Sequence, residues 1–297
     1  MKKILLCIPN ISEGRNIELI GQVADAIKQV DGVKFISQAP DGDHNRTVFT
    51  YLGEPEAVLE ASKAMATKAI ELIDMTQHKG SHPRLGAVDV VPYVPLQNVK
   101  VKEAIAISKQ FGQFLGEHGV PVFYYEDSAK NEERKSLVKI RKGEYEGLAD
   151  KLKVSNWQPD AGPAEFNAKS GATVVGARYP LIAFNVNLNT TDLKIARRIS
   201  RAIRHLSGGF RYVRAMEVAL EEQGMVQVSI NMINYRKTTL PRVLETIRFE
   251  AARHGVTVAG TEIVGTIPLN AIESIVKHYL QTHDFKVNQI IETALLG

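Results

Sequence analysis

Three features of the 297-residue sequence predict an α+β protein. Apolar residues recur in blocks at strand spacing and at helix spacing, the blocks follow the order β-α-β-β-α-β, and that order is read once in each half of the chain. The architecture this implies is two ferredoxin-like (split βαβ) subdomains, residues 1–160 and 161–297, each an antiparallel sheet with helices on one face, with a ligand cleft between them. No sequence repeat accompanies the repeated order, so the duplication is one of element order only.

The opening run Ile4-Leu5-Leu6-Cys7-Ile8 reads as a first strand, because its apolar stretch is too short for a secretory leader and ends in Pro9-Asn10 without a cleavage site. Ile17, Ile20, Val23, Ala24, Ile27 and Val30 then recur at helical spacing, and Gly32 is the stop signal. Residues 33–36 and 47–52 are rich in strand formers around the turn-forming residues 41–46, which makes a hairpin. Glu54-Pro55 opens a helix carrying Val58, Ala61, Met65, Ala69 and Leu72, and a Gly/Pro-rich loop leads to an apolar strand at 88–94. Residues 100–118 and 131–152 read as two extra helices, the second highly charged and solvent-facing, and 156–163 is the linker candidate. The second half gives strands at 172–175 and 181–188, a helix at 192–206 and a hairpin at 212–220 and 225–233. A helix at 240–253, a strand at 256–264 and a last helix at 269–280 follow.

Hydrophobic residues make up 44% of the chain and charged residues 24%, which excludes a disordered chain and supplies a core. A single cysteine, Cys7, excludes an internal disulfide framework and a cysteine-rich metal site. No stretch reaches the roughly 18 apolar residues of a membrane helix, so a cytoplasmic protein without a membrane partner is expected. The net charge of +4, from 37 basic and 33 acidic residues, does not by itself indicate nucleic acid. The distribution says more. Between Lys194 and Arg214 stand seven basic residues and no acidic one, with Lys194, Arg197, Arg198, Arg201 and Arg204 on one helix face and Ile195, Ile199, Ile203 and Leu206 on another. Such a stripe is either a solvated face or a surface for a polyanion, and without an aromatic-studded motif a multiply carboxylated small molecule fits better than RNA.

The loop His78-Lys79-Gly80-Ser81-His82-Pro83-Arg84-Leu85-Gly86-Ala87 combines glycines for close approach, titratable imidazoles and fixed cations. Two histidines four apart bind zinc when both lie on a helix, but Gly80 and Pro83 argue against a helix and no third ligand is evident, so no metal is expected. Arg84 beside the histidine would favour its neutral, base-competent form. The turn 41–46 gathers Asp41, Asp43, His44, Asn45 and Arg46, residue types that turns favour anyway, and Ser12 follows the first strand, where ligand groups are often placed. Residues 162–173 have glycines and several donors but lack the Gly-Lys-Ser/Thr ending of a phosphate loop.

Taken together, Ile8-Pro9-Asn10-Ile11-Ser12-Glu13-Gly14, Asn45-Arg46-Thr47-Val48, the loop 78–87 running into Asp89-Val90-Val91-Pro92, and Gly162-Pro163 through Gly171-Ala172-Thr173 resemble the glutamate formiminotransferase family, the transferase module that in animals is fused to a cyclodeaminase. The resemblance runs from the first strand to near the C-terminus. It implies transfer of a formimino group from N-formimino-L-glutamate to tetrahydrofolate as co-substrate, a homodimer, and a place in histidine catabolism and one-carbon metabolism. It puts the catalytic histidine at His82 and the folate-contacting segment at Pro163, Ala164, Glu165, Phe166 and Asn167 followed by Ala168, Lys169, Ser170, Gly171 and Ala172, with Ala168 and Ser170 standing where bulkier residues are usual. Arg46, Arg84 and Arg178 are then plausible clamps for the donor's carboxylates, since a guanidinium pairs a carboxylate bidentately, and the basic stripe suits a polyglutamylated folate tail. Formyl transfer on the same scaffold, or a folate-binding or RNA-binding module without turnover, are the alternatives.

Overall fold

The computed structural model describes residues 2–296. The chain divides into two compact units, Met1–Arg178 and Tyr179–Gly297. In the first unit, strands β1 (Ile4–Cys7) and β2 (Asn10–Ile11) precede helix α1 (Ile17–Lys28), the hairpin β3 (Val33–Asp41) and β4 (Arg46–Gly53), and helix α2 (Pro55–Leu72). Strand β5 (Val88–Gln97), helix α3 (Val101–Glu117), strand β6 (Val122–Tyr124), the short helices α4 (Leu137–Arg141) and α5 (Leu148–Lys153), and strand β7 (Thr173–Ala177) complete it. The second unit runs β8 (Ile182–Leu188), α6 (Leu193–Ile203), β9 (Val213–Leu220), β10 (Met225–Met232), α7 (Leu240–Ala252), β11 (Val258–Val264) and α8 (Leu269–Tyr279).

The first sheet holds β1 and β2 between β4 and β5, with β3 outside β4 and β7 then β6 beyond β5. β1 and β2 are one line interrupted at Pro9, which has no N–H to give; its carbonyl instead accepts from Phe49 N at 3.0 Å. The pairs β5–β7 and β6–β7 are parallel and the others antiparallel, so this sheet is mixed rather than antiparallel throughout. The second unit has one antiparallel sheet ordered β11-β8-β10-β9.

Parallel strands need cover on both faces. Residues 88–95 of β5 are all buried, and side chains of the three strands alternate between two cores. Val91, Tyr93, Val122 and Val175 pack with α1, α2 and α3, whereas Val90, Phe123 and Val174 pack against Ile140, Leu148 and Leu152. The segment expected as one charged solvent-facing helix at 131–152 is therefore a cap on the second face. It breaks into short turns because Gly143 (φ 91°) and Glu144 (φ 54°) both take left-handed backbone.

The stretch 156–163 is likewise no free linker. Arg134, buried between the rings of Phe123 and Trp157, pairs with Asp160 at 2.8 Å and donates to the carbonyls of Asn156 and Gln158. The contact boundary accordingly falls at 178/179 instead of the expected 160/161, because β7 is a strand of the first sheet. In the second unit the helix at 192–206 ends at Ile203, and Leu206, expected on its apolar seam, is 88% exposed. Lys194, Arg198 and Arg201 stay exposed, but Arg197 is paired with Glu217 at 2.6 Å and Arg204 donates to Ser207 at 2.8 Å.

Gly171, just ahead of β7, lies against the loop that precedes β5. Its φ is +65°, and a Cβ there would lie 2.1 Å from the Leu85 carbonyl oxygen, so both conformation and space require glycine. Gly119 shares the positive φ (+76°) but faces open space. Gly119→Ala should therefore cost about 1 kcal/mol, the strain alone, and Gly171→Ala about 3 kcal/mol or more, strain plus overpacking. Urea denaturation of the two variants checks the difference, and equal midpoints would contradict the contact.

Candidate active site

Four stretches far apart in sequence meet at the start of β5. Ser12 N donates to Ala87 O (2.9 Å) and Ser12 Oγ to Gly86 O (2.8 Å), which ties the end of β2 to the loop 78–87. Asn45, buried and left-handed at φ 49°, accepts from Gly14 N (3.0 Å) and donates to Lys79 O (2.9 Å), so one amide links three loops. Gly80 lies against the 41–46 turn so closely that a Cβ would stand 2.4 Å from His44 O. From the other side Ala87 N donates to Ser170 O (2.9 Å) and Ala172 N to Leu85 O (3.0 Å), joining the loop to the 163–172 segment.

These contacts set both histidines of the loop, neither on a helix. His78 donates from Nε2 to Asn45 O (2.8 Å) and accepts from Arg84 Nε at Nδ1 (3.3 Å). His82, half-buried, has its Nε2 2.6 Å from Arg46 Nη1. A guanidinium only donates, so Nε2 is an acceptor and the ring is neutral with its proton on Nδ1. Burial lowers the His82 pKa to about 4, with the charges of Arg46, Arg141 and His44 acting the same way and the Pro83 carbonyl opposing them. None of these three charges belongs to the loop 78–87, and Arg84, expected to favour the neutral ring, is not among them.

Arg141 is the residue that sequence reading missed. It sits at the end of α4 in the cap, where Lys151 donates to the carbonyls of Ile140 and Lys142 on either side of it. Its guanidinium pairs with Asp89, which is buried at the start of β5 and also accepts from Leu85 N (2.9 Å). Burial pushes the Asp89 carboxyl up while Arg141 and the Leu85 amide pull it back. The only available signal was the compositional one, a lone buried-type acid in an apolar strand that must find a cation.

The other expected residues divide. Arg46 is in the cluster, and Asp41, hydrogen-bonded to the His44 backbone N–H (3.0 Å) and ring (2.6 Å), orients the turn below it. The His44 and His82 rings stand 6.0 Å apart, edge to face. Arg84 is not a free clamp: its fork is filled by Glu146 (2.8 and 2.6 Å) and Glu144 (3.1 Å), both from the cap, and it faces His78 rather than His82. Arg178 follows β7, donates its N–H to Tyr93 O (3.0 Å) and hydrogen-bonds the buried Tyr125, whose hydroxyl also feels Arg141.

Within 163–172, Ser170, Gly171 and Ala172 are buried in the loop junction, and Asn167 braces the turn by accepting from Ser170 N (3.0 Å) and donating to Gly119 O (3.1 Å). Lys169 donates to Glu71 O (2.9 Å). Pro163 is half-buried, and Ala164, Glu165, Phe166 and Ala168 are exposed. Phe166 faces Tyr145 at 5.4 Å between ring centres, and the Tyr145 hydroxyl donates to Ala168 O (2.5 Å). Tyr145, His78, Lys79, Arg84 and Glu146 also line a pocket of about 610 Å³. Among the described residues no group of three or more His, Cys, Asp or Glu side chains is placed to hold a metal ion.

Residues 4–178 match the family described as the formiminotransferase domain, N-terminal subdomain, and residues 183–295 that described as the formiminotransferase domain. A glutamate formimidoyltransferase of Streptococcus pyogenes serotype M1 is 45% identical over the whole of both chains, and one of Thermoplasma acidophilum is 41% identical over 96% of this chain and 95% of its own. The formimidoyltransferase-cyclodeaminase of Gallus gallus is 41% identical over 95% of this chain and 53% of its own.

The depressed pKa has a signed consequence for stability. An unfolded histidine binds its proton near 6.5, whereas folded His82 waits until about 4, so between those values the unfolded chain holds more protons. The contribution of His82 is present in full above about pH 6.5 and is lost as pH falls toward 4. His82→Gln should therefore flatten the fall in denaturation midpoint across that window relative to the unsubstituted protein. Parallel curves would place the folded pKa near its ordinary value.

Proposed function

The chain belongs to the formiminotransferase family, and on that footing we propose that it transfers the formimino group of N-formimino-L-glutamate to tetrahydrofolate, giving 5-formiminotetrahydrofolate and L-glutamate, with His82 as general base and then general acid. The observation that carries the reading is a neutral imidazole whose Nε2 is an acceptor, held in a loop bonded on both sides to the segments expected to meet donor and folate.

The chemistry needs one proton moved twice. Attack of the folate N5 amine on the amidine carbon forms a C–N bond and leaves N5 cationic, and His82 Nε2 takes its proton. The resulting imidazolium returns that proton to the glutamate nitrogen as the original C–N bond breaks, so the histidine ends as it began. Burial and the neighbouring cations make the neutral ring a modest base, yet they make the imidazolium a strong acid for the departing nitrogen. Phe166, exposed beside Tyr145, offers an aromatic face for the folate rings. Arg46 is the clamp nearest the reacting histidine, while Arg84 serves to brace the loop. The same reading takes the protein to be a cytoplasmic homodimer that needs no metal.

His82→Ala should lower turnover by roughly 10²–10⁴-fold with folate affinity little changed. The assay mixes the protein with formiminoglutamate and tetrahydrofolate and follows the 5-formimino product by mass spectrometry. Appearance of a 5-formyl product instead, or a variant that keeps more than half of the turnover, would overturn the assignment.

A further inference from the structure

The two arginines around His82 are only partly partnered. Arg46 gives Nη1 to His82, yet its Nε is buried without an acceptor. Arg141 gives Nη2 to Asp89, and its Nε is likewise buried without an acceptor. Unsatisfied buried N–H groups are rare in folded proteins and ask for an explanation. Of the carboxylates close enough to act on this group, Asp89 of β5 is committed to Arg141 and Leu85 N, and Asp41 of β3 is committed to His44. Each arginine therefore has donor capacity that the protein's own acids leave unused.

A second tension lies in the histidine. The Nε2 lone pair that must take a proton is already occupied by Arg46. A neutral imidazole is a weaker partner for a guanidinium than a carboxylate, which accepts two charge-assisted bonds from one fork. We infer that Arg46 and Arg141 form a two-guanidinium receptor for a carboxylate of the donor, and that the arriving carboxylate draws Arg46 off His82 and uncovers the base only when the donor is in place. This rests on the reading of the donor as a dicarboxylic formimino compound. Arg141, contributed by the cap, then replaces Arg84 as the second clamp. The charges facing the imidazole come from β4 (Arg46), the turn (His44) and α4 (Arg141), with Asp89 of β5 and Asp41 of β3 acting on Arg46.

The test uses the whole chain, glutarate as a dicarboxylate probe and the ring resonances of His82. Glutarate should bind saturably and shift those resonances as Arg46 leaves. Arg141→Lys keeps a cation against Asp89, so the fold survives while the fork is lost. It should raise the glutarate Kd and the KM for formiminoglutamate roughly tenfold or more, with the KM for tetrahydrofolate within about twofold. Arg46→Lys should weaken glutarate similarly and show the shifted His82 resonances before any glutarate is added. Donor KM and glutarate affinity unmoved in Arg141→Lys, or glutarate binding that leaves His82 unshifted, would overturn the receptor. Arginine-dependent glutarate binding without turnover of formiminoglutamate would instead overturn the transfer reading and leave the receptor standing.

Discussion

The hydrogen bond from Arg46 to His82 spans two loops 36 residues apart and holds only if backbone meets backbone around it. A Cβ at Gly80 would stand 2.4 Å from the His44 carbonyl oxygen and one at Gly171 2.1 Å from that of Leu85, so any side chain there would push the 41–46 turn or the 163–172 segment off the loop. Close approach is thus the constraint from which the site follows. It lets Asn45 link three loops at once, it fixes His78 as a brace, and it brings the half-buried His82 against its guanidinium neighbour.

The second determinant is the need to cover both faces of β5, β7 and β6. A parallel trio cannot leave a face to water, and the residues that cover it, 137–157, bring their charges with them. Arg141, Glu144 and Glu146 reach the loop because Ile140, Leu148 and Leu152 are buried beneath them. Buried ion pairs of this kind add little net stability once desolvation is counted, so the worth of Arg141–Asp89 lies in fixing where a positive charge sits. Packing and electrostatics of the site are in this sense one arrangement.

Much of this was legible in the sequence. Gly80 and Pro83 predict that the loop carrying His78 and His82 is not a helix, as is found, and the element order of the second unit follows from alternation and turn residues alone. What was not legible depends on distant partners. Strand β6 is three residues long after Pro121, too short to show a period, so the parallel additions to the first sheet and the boundary at 178 were hidden. Arg84 looked free because its glutamates lie about 60 residues on, in a segment whose charge suggested solvent. Leu206 fits a helical seam by spacing but falls after the helix ends at Ile203, where Gly208 and Gly209 turn the chain.

The Arg46–His82 bond requires that the proton of the neutral ring sit on Nδ1 of His82. Ring-labelled histidine in the intact protein, read by nitrogen NMR at neutral pH, reports this directly from the coupling of each ring nitrogen to the ring carbon-bound protons. The expected result is a neutral ring with a protonated Nδ1 and a bare Nε2 that is hydrogen-bonded, and loss of that hydrogen-bond signature in Arg46→Lys. A protonated Nε2, whether as the other tautomer or as imidazolium, would contradict it.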